Sequence, residues 1–109
     1  MVLSWLDTKE VDEFADSVVA ELMQRFPPTG VDLSTQKAIE RVVKNVDKIA
    51  LRVAEFGRSR KLNVYKKARF GNRVKWALKE AKYPEQFVDV MTQELVTQLT
   101  LASRPPRPA

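Results

Sequence analysis

The chain has 109 residues and a formal net charge of +5, and it contains neither cysteine nor histidine. This length fits one domain, and 44% hydrophobic with 30% charged residues is typical of a chain that folds. The missing residue types exclude disulfides, thiolate or imidazole metal sites, and catalysis by a cysteine or histidine side chain.

Charge is distributed unevenly along the chain. Residues 1–40 contain three basic and eight acidic residues, whereas the segment from Arg52 to Lys82 contains eleven basic residues and only two acids. A positive region of this density attracts anions over much of its surface. The sequence therefore predicts an acidic first part and a basic third quarter whose partner the charge alone does not identify.

Membrane insertion and secretion are not expected. No apolar run approaches the roughly 18 residues needed to cross a bilayer, and the first residues lack a basic segment followed by an apolar one. A cysteine-free chain also fits a reducing compartment. We therefore expect a cytoplasmic protein without a transmembrane segment.

The first predicted helix runs from about Trp5 to Arg25 and ends before Pro27. Asp7 and Glu10 have the spacing of a capping box. Acidic residues occupy its outer side, which suits the positive end of the helix dipole. At helical spacing, one side is apolar and contains Val11, Phe14, Ala15, Val18, Leu22 and Phe26.

The second predicted helix covers residues 34–56, with Ser34 or Asp32 as its N-cap. We expect a break between Gly57 and Lys61, where Gly57 would adopt a left-handed conformation. A bend or one long helix through this segment remains an alternative. The apolar face is the most regular in the chain and contains Ile39, Val42, Val43, Val46, Ile49, Ala50, Val53 and Phe56.

The third predicted helix covers residues 62–82 and has three faces, with Gly71 weakening its middle. The apolar face contains Phe70, Val74, Ala77, Leu78 and Ala81. A mixed aromatic and basic face contains Leu62, Tyr65, Lys66, Arg69, Arg73 and Trp76. The remaining face is basic and contains Lys61, Lys75, Lys79 and Lys82.

The fourth predicted helix begins at Pro84 and ends near Leu101. Its apolar face contains Phe87, Val88, Met91, Leu95 and Leu99. The last residues, 103–109, are rich in proline and arginine, which predicts a flexible tail. The sequence thus predicts an all-α bundle of about four amphipathic helices in a single domain over residues 1–102.

The third predicted helix carries the main functional candidates. Phosphates bind arginine and lysine, and exposed bases stack on tyrosine or tryptophan, so the mixed face suits nucleic acid. The more common arrangement, which we expect here, is that Tyr65 and Trp76 pack in the core against a neighbouring helix while the cations are solvated. The candidate binding-surface residues are Tyr65, Lys66, Arg69, Arg73 and Trp76, with Lys75 and Lys79 beside them.

Three acids of the first predicted helix, Asp12, Glu13 and Asp16, lie one helical turn apart or less. Carboxylates so placed can bind a divalent cation, but a solvated acidic face is the more common arrangement. They could also face the basic third helix, within one chain or across a dimer interface. We expect no metal, cofactor or catalytic residue.

These observations favour a small non-catalytic module that binds a protein partner or its own copy. Four apolar residues outside the main stripes, Leu51, Val90, Val96 and Leu101, indicate self-association. The alternative is a nucleic-acid-binding protein that uses the third helix. Binding to an anionic membrane surface, or recognition of the Arg104–Pro108 tail, is less favoured.

Overall fold

The computed structural model describes residues 8–28, 34–60 and 62–103. These residues contain five α-helices and no β-strand, which confirms the all-α prediction. The helices are α1 (Lys9–Arg25), α2 (Gln36–Asn45), α3 (Asp47–Ser59), α4 (Val64–Glu80) and α5 (Glu85–Ser103). The predicted start at Trp5, the Asp7 cap, Gly30, Asp32, Lys61 and residues 104–109 of the predicted tail lie outside the described residues. Ser103, predicted as the first residue of the tail, is instead the last residue of α5.

The second predicted helix is two helices, because the chain turns at Val46. The Val46 N–H bonds to the carbonyl of Val43 at 3.1 Å, a tighter turn than an α-helix makes, and the helical pattern resumes with Ala50 N–H to Val46 O at 2.8 Å. Valine and asparagine, which surround this position, have poorer helix propensity than alanine or leucine. The turn keeps Val46 in the core while α2 leaves it.

The helix caps differ in detail from the prediction. Thr35, not Ser34 or Asp32, caps α2, since its hydroxyl accepts from Ala38 N–H at 3.0 Å. Asn63 caps α4 in the same way, accepting from Lys66 N–H at 2.7 Å. Pro84 lies directly before α5 instead of within it.

Helices α1 and α4 run parallel in matching register. Asp12 pairs with Arg69 near their N-terminal ends, and the Tyr83 hydroxyl bonds to the Phe26 carbonyl beyond their C-terminal ends. Both pairs are separated by 57 residues in sequence. A constant separation over this length fixes the direction and the register of the two helices.

Helix α3 runs antiparallel to α1. Arg52 of α3 pairs with Glu21, and Arg60, the residue directly after α3, pairs with Glu10, earlier in α1. Phe14 of α1 stacks on Phe56 of α3 with ring centroids 4.1 Å apart and fills the space between the two helices. Four helices thus form a bundle in which α5 packs against both α3 and α4.

Two glycines let α5 approach its neighbours. A side-chain carbon added to Gly57 would lie 3.0 Å from the Leu99 carbonyl oxygen, and one added to Gly71 would lie 2.9 Å from Val96 Cγ2. Gly57 lies within α3 and does not have the predicted left-handed conformation. Gly57 instead needs to lack a side chain because α5 packs closely against it. The predicted break does follow, since α3 ends at Ser59 and α4 begins at Val64.

The core is built from the predicted apolar faces of α1, α3, α4 and α5. Helix α2 contributes no fully buried residue, and Ile39, Val42 and Val43 are only half-buried. The amphipathic pattern of α2 is therefore largely unpaired within the described residues. The fully buried large side chains are Val18, Leu22, Val46, Ile49, Val53, Phe70, Val74, Leu78, Phe87, Met91, Leu95 and Leu99.

A tight turn joins α4 to α5. Lys82 has a positive φ of 71° there, Lys82 N–H bonds to Lys79 O at 3.0 Å, and Tyr83 N–H bonds to Leu78 O at 3.3 Å. This pair of bonds is the Schellman motif, in which glycine is the usual left-handed residue. The turn places the Tyr83 ring in the core, stacked on Phe87.

Candidate functional site

Helix α4 presents different chemistry on each of its sides. Its core side is apolar, and the side toward α1 carries Arg69 and Arg73. The outward side carries Tyr65 and Trp76, whose exposed fractions are 46% and 59%. The interpretation of these two aromatic residues as core residues is therefore wrong, and both are accessible to a partner.

The guanidinium of Arg69 binds the carboxylate of Asp12 through two hydrogen bonds. Nε donates to Oδ1 at 2.9 Å and Nη2 donates to Oδ2 at 3.1 Å. These bonds lower the pKa of Asp12, assisted by the charges of Arg69 and Arg73, and outweigh the opposing effect of desolvation. The same hydrogen bond raises the pKa of Arg69.

Arg73 forms the equivalent pair with Asp16, one turn further along both helices. Nε and Nη2 donate to Oδ1 and Oδ2, each at 2.9 Å. The hydrogen bond from Arg73 is the main reason that the pKa of Asp16 is lowered. Two planar, bidentate pairs in succession fix the α1–α4 register.

Two acids of α1 therefore face the basic helix within one chain, which was one of the alternatives that the sequence left open. Asp12 and Asp16 bind arginine, and Glu13 is exposed. Residues 8–28, 34–60 and 62–103 include no group of three or more potential ligands that could hold a metal ion.

The ion pairs separate the predicted aromatic and basic face of α4 into two parts, one with paired arginines and one with exposed aromatic residues. Arg69 and Arg73 are occupied by acids, while Trp76 lies beside them in a hollow of about 470 Å³ that Asn72 and Glu80 also line. Lys79 lies over the Trp76 ring, with its ammonium 5.1 Å from the ring centroid. An exposed tryptophan with a cation on its face is a typical binding anchor.

The uncompensated charge on this side comes from lysine. Among the residues that the structure describes, five lysines at or near α4 make no ion pair with an acid. Lys66 and Lys75 are half-buried, so their stems cover apolar surface while their ammonium groups remain available. The five are Lys66, Lys67, Lys75, Lys79 and Lys82.

A groove between α4 and α5, which the sequence did not predict, lies next to the Trp76 hollow and shares Asn72 with it. It has a volume of about 450 Å³. The available signal was the pair of small residues Ala68 and Gly71 at helical spacing in α4. On the sequence alone, Gly71 is instead a weak point of the helix, and Val96 is one of four residues that indicate self-association. The lining residues are Val64, Lys67, Ala68, Gly71, Asn72, Lys75, Thr92, Val96 and Thr100.

Comparison of the chain with protein-family models, curated proteins and solved structures found no match. Within the described part of the chain, every helix is too short or too polar to cross a bilayer. The surface of α4 is therefore the feature of the molecule from which a function can be inferred.

Proposed function

We propose that this chain is a non-catalytic helical module that binds a protein partner through the outward side of α4. The observation that carries the proposal is the exposure of Trp76 together with Tyr65 on one side of a single helix. Trp76 follows Tyr65 by eleven residues, which places them about 16 Å apart along the helix axis. This spacing suits a contact between two proteins.

The pairing of the arginines supports a protein partner. Arg69 and Arg73 each commit two N–H groups, and much of their charge, to Asp12 and Asp16, which weakens their attraction for phosphates. The aromatic residues, by contrast, are accessible without any rearrangement, and tryptophan and tyrosine dominate the energetics of protein interfaces. We also propose a cytoplasmic location, which the cysteine-free sequence supports.

Affinity capture with matched surface variants tests this function. The wild-type chain, Trp76→Ser and Met23→Ser are used as baits in an extract of the cells that express the protein. Met23 is an exposed apolar residue on α1, with an exposed fraction of 43%. We expect a protein that wild type and Met23→Ser retain and that Trp76→Ser loses. Identical captures with all three baits would contradict the proposal.

Nucleic-acid binding is the second candidate, and the five lysines that make no ion pair with an acid among the described residues favour it. It requires that affinity for oligonucleotides falls steeply with salt, and that Lys75→Ala with Lys79→Ala flattens this dependence by about one unit per lost contact. Trp76→Ala would weaken single-stranded more than double-stranded binding. The protein-binding function predicts only weak, sequence-independent attraction at about 150 mM salt.

A further inference from the structure

We infer that the groove between α4 and α5 binds an acidic amphipathic helix of a partner protein. This inference depends on the proposed protein-binding function and adds the chemistry of the partner. The groove adjoins the hollow that holds Trp76, since Asn72 lines both. A partner in the groove can therefore also reach Trp76.

The floor of the groove is apolar and open. Ala68 and Gly71 supply little or no side chain on α4, and Val96 lies opposite Gly71 on α5. Val64, at the end of the groove, is the most exposed large apolar residue among those described, with an exposed fraction of 81%. Uncovered apolar surface of this kind between two helices accepts the apolar side of a third helix.

The rim of the groove is positive. Lys67 and Lys75 both line it, neither makes an ion pair within the described residues, and the lining residues include no acid. They are separated by eight residues, or about 12 Å of α4. Two turns of a partner helix have the same length, so acids at i and i+7 or i+8 would meet the two ammonium groups.

The charge of the groove argues against the chain's own α2 as the occupant. Helix α2 has an apolar side that is only half-buried among the described residues, but it carries three basic residues, Lys37, Arg41 and Lys44, and one acid, Glu40. Placing it between Lys67 and Lys75 of a second copy would bring like charges together. An acidic helix from another protein has both the required shape and the opposite charge.

Synthetic peptides of about 18 residues, long enough to form a helix on binding, test this inference. One has leucines at i, i+4 and i+7 with glutamates at the flanks, the second has the same composition in scrambled order, and the third has lysines in place of the glutamates. Binding to the full chain is followed by fluorescence anisotropy and by amide NMR shifts. We expect saturable binding of the first peptide only, with shifts at Thr92, Val96 and Thr100.

Matched variants locate the contact. Lys67→Glu with Lys75→Glu should weaken the acidic peptide roughly tenfold or more, and Ala68→Gln should weaken it by placing a polar group on the floor. The controls are Lys44→Glu with Lys48→Glu, which make the same charge change elsewhere, and Ala20→Gln on the exposed side of α1. Circular dichroism of each variant verifies that the fold is retained.

Three results would overturn the inference. The first is that the acidic peptide does not bind. The second is a lack of specificity, shown by equal binding of the scrambled peptide or by an equal effect of the control charge changes. The third is a set of NMR shifts confined to the Trp76 hollow, which would remove the groove but leave the proposed protein-binding function intact. Displacement of the peptide by a single-stranded oligonucleotide at about 150 mM salt would favour nucleic acid instead.

Discussion

The hydroxyl of Tyr83 donates a 2.5 Å hydrogen bond to the backbone carbonyl of Phe26 and so joins the end of α1 to the turn between α4 and α5. Burial of the phenol raises its pKa above the ordinary value. Tyr83 is thus a core aromatic residue that also connects two segments distant in sequence.

Removal of this hydroxyl should reduce stability without disrupting packing. We expect Tyr83→Phe to lower the free energy of unfolding by about 1 kcal/mol, measured by chemical denaturation. Because the folded pKa is raised, the unfolded state loses the proton first, so stability should fall as pH rises above about 10. Tyr83→Phe should show a smaller alkaline loss than wild type, and an unchanged loss would contradict the assignment.

The Asp12–Arg69 and Asp16–Arg73 pairs predict an acid-dependent loss of stability. The pKa values of both carboxyls are lowered in the folded state, so their contribution is complete above the unfolded value of about 3.9 and is lost as pH falls through the lower folded values. The combined variant Asp12→Asn, Asp16→Asn should therefore lose less stability between neutral pH and low pH than wild type does.

Thermal unfolding across this pH range provides the measurement. The side chain of Asp12 is less exposed than that of Asp16. At neutral pH, Asp12→Asn should therefore lower the melting temperature more than Asp16→Asn does. Glu13→Gln, on the exposed side of the same helix, is the matched control and should behave as wild type. If the melting temperature of every variant falls with pH as that of wild type does, the pairs do not stabilise the fold.

Val46 should tolerate no charge, because it is fully buried where α2 turns into α3. Val46→Asp is expected to unfold the domain or to cost several kcal/mol, since an unpaired buried carboxylate is among the most destabilising changes. Val64→Asp provides the same chemical change at an exposed site and should shift stability by about 0.5 kcal/mol or less. Equal stability of the two variants in thermal unfolding would contradict the burial of Val46.

The two helical glycines should respond differently to alanine. Alanine gains about 1 kcal/mol over glycine in a helix interior, but at Gly57 the new methyl would meet the Leu99 backbone, which cannot move without displacing α5. Gly57→Ala should therefore be destabilising by about 1–3 kcal/mol. At Gly71 the new methyl would meet only a side-chain methyl of Val96. The loss of stability should therefore be smaller there, and the better helix propensity of alanine should offset part of it. Denaturation midpoints that rank Gly71→Ala below Gly57→Ala would contradict this reasoning.

Self-association remains a prediction. Of the four residues that indicated it, two are exposed enough to form an interface. Leu51 and Leu101 are exposed, whereas Val90 and Val96 are half-buried and pack against the core. We expect a dimer at tens of micromolar that Leu51→Glu with Leu101→Glu dissociates. Sedimentation equilibrium that detects only monomer in the wild-type chain at this concentration would remove the idea.

The helices and their buried faces were predictable because they depend on local periodicity. The turn at Val46 was not, since the apolar stripe continues in phase from Ile39 to Phe56 and contains no proline or glycine before Gly57. Complementarity between the acidic and basic helices could be anticipated from charge. The individual partners of Arg69 and Arg73 could not be predicted, because the pairing depends on the parallel register of two helices that are distant in sequence.

The turn at Val46 has a consequence for how the molecule opens. Helix α2 packs chiefly against the start of α3 and buries no residue fully, so its unwinding exposes little apolar surface. Its ten residues are also fewer than an isolated helix needs for stability in water. Amide hydrogens of α2 should therefore exchange with solvent through local opening, while those of α3 and α5 exchange only when the bundle unfolds.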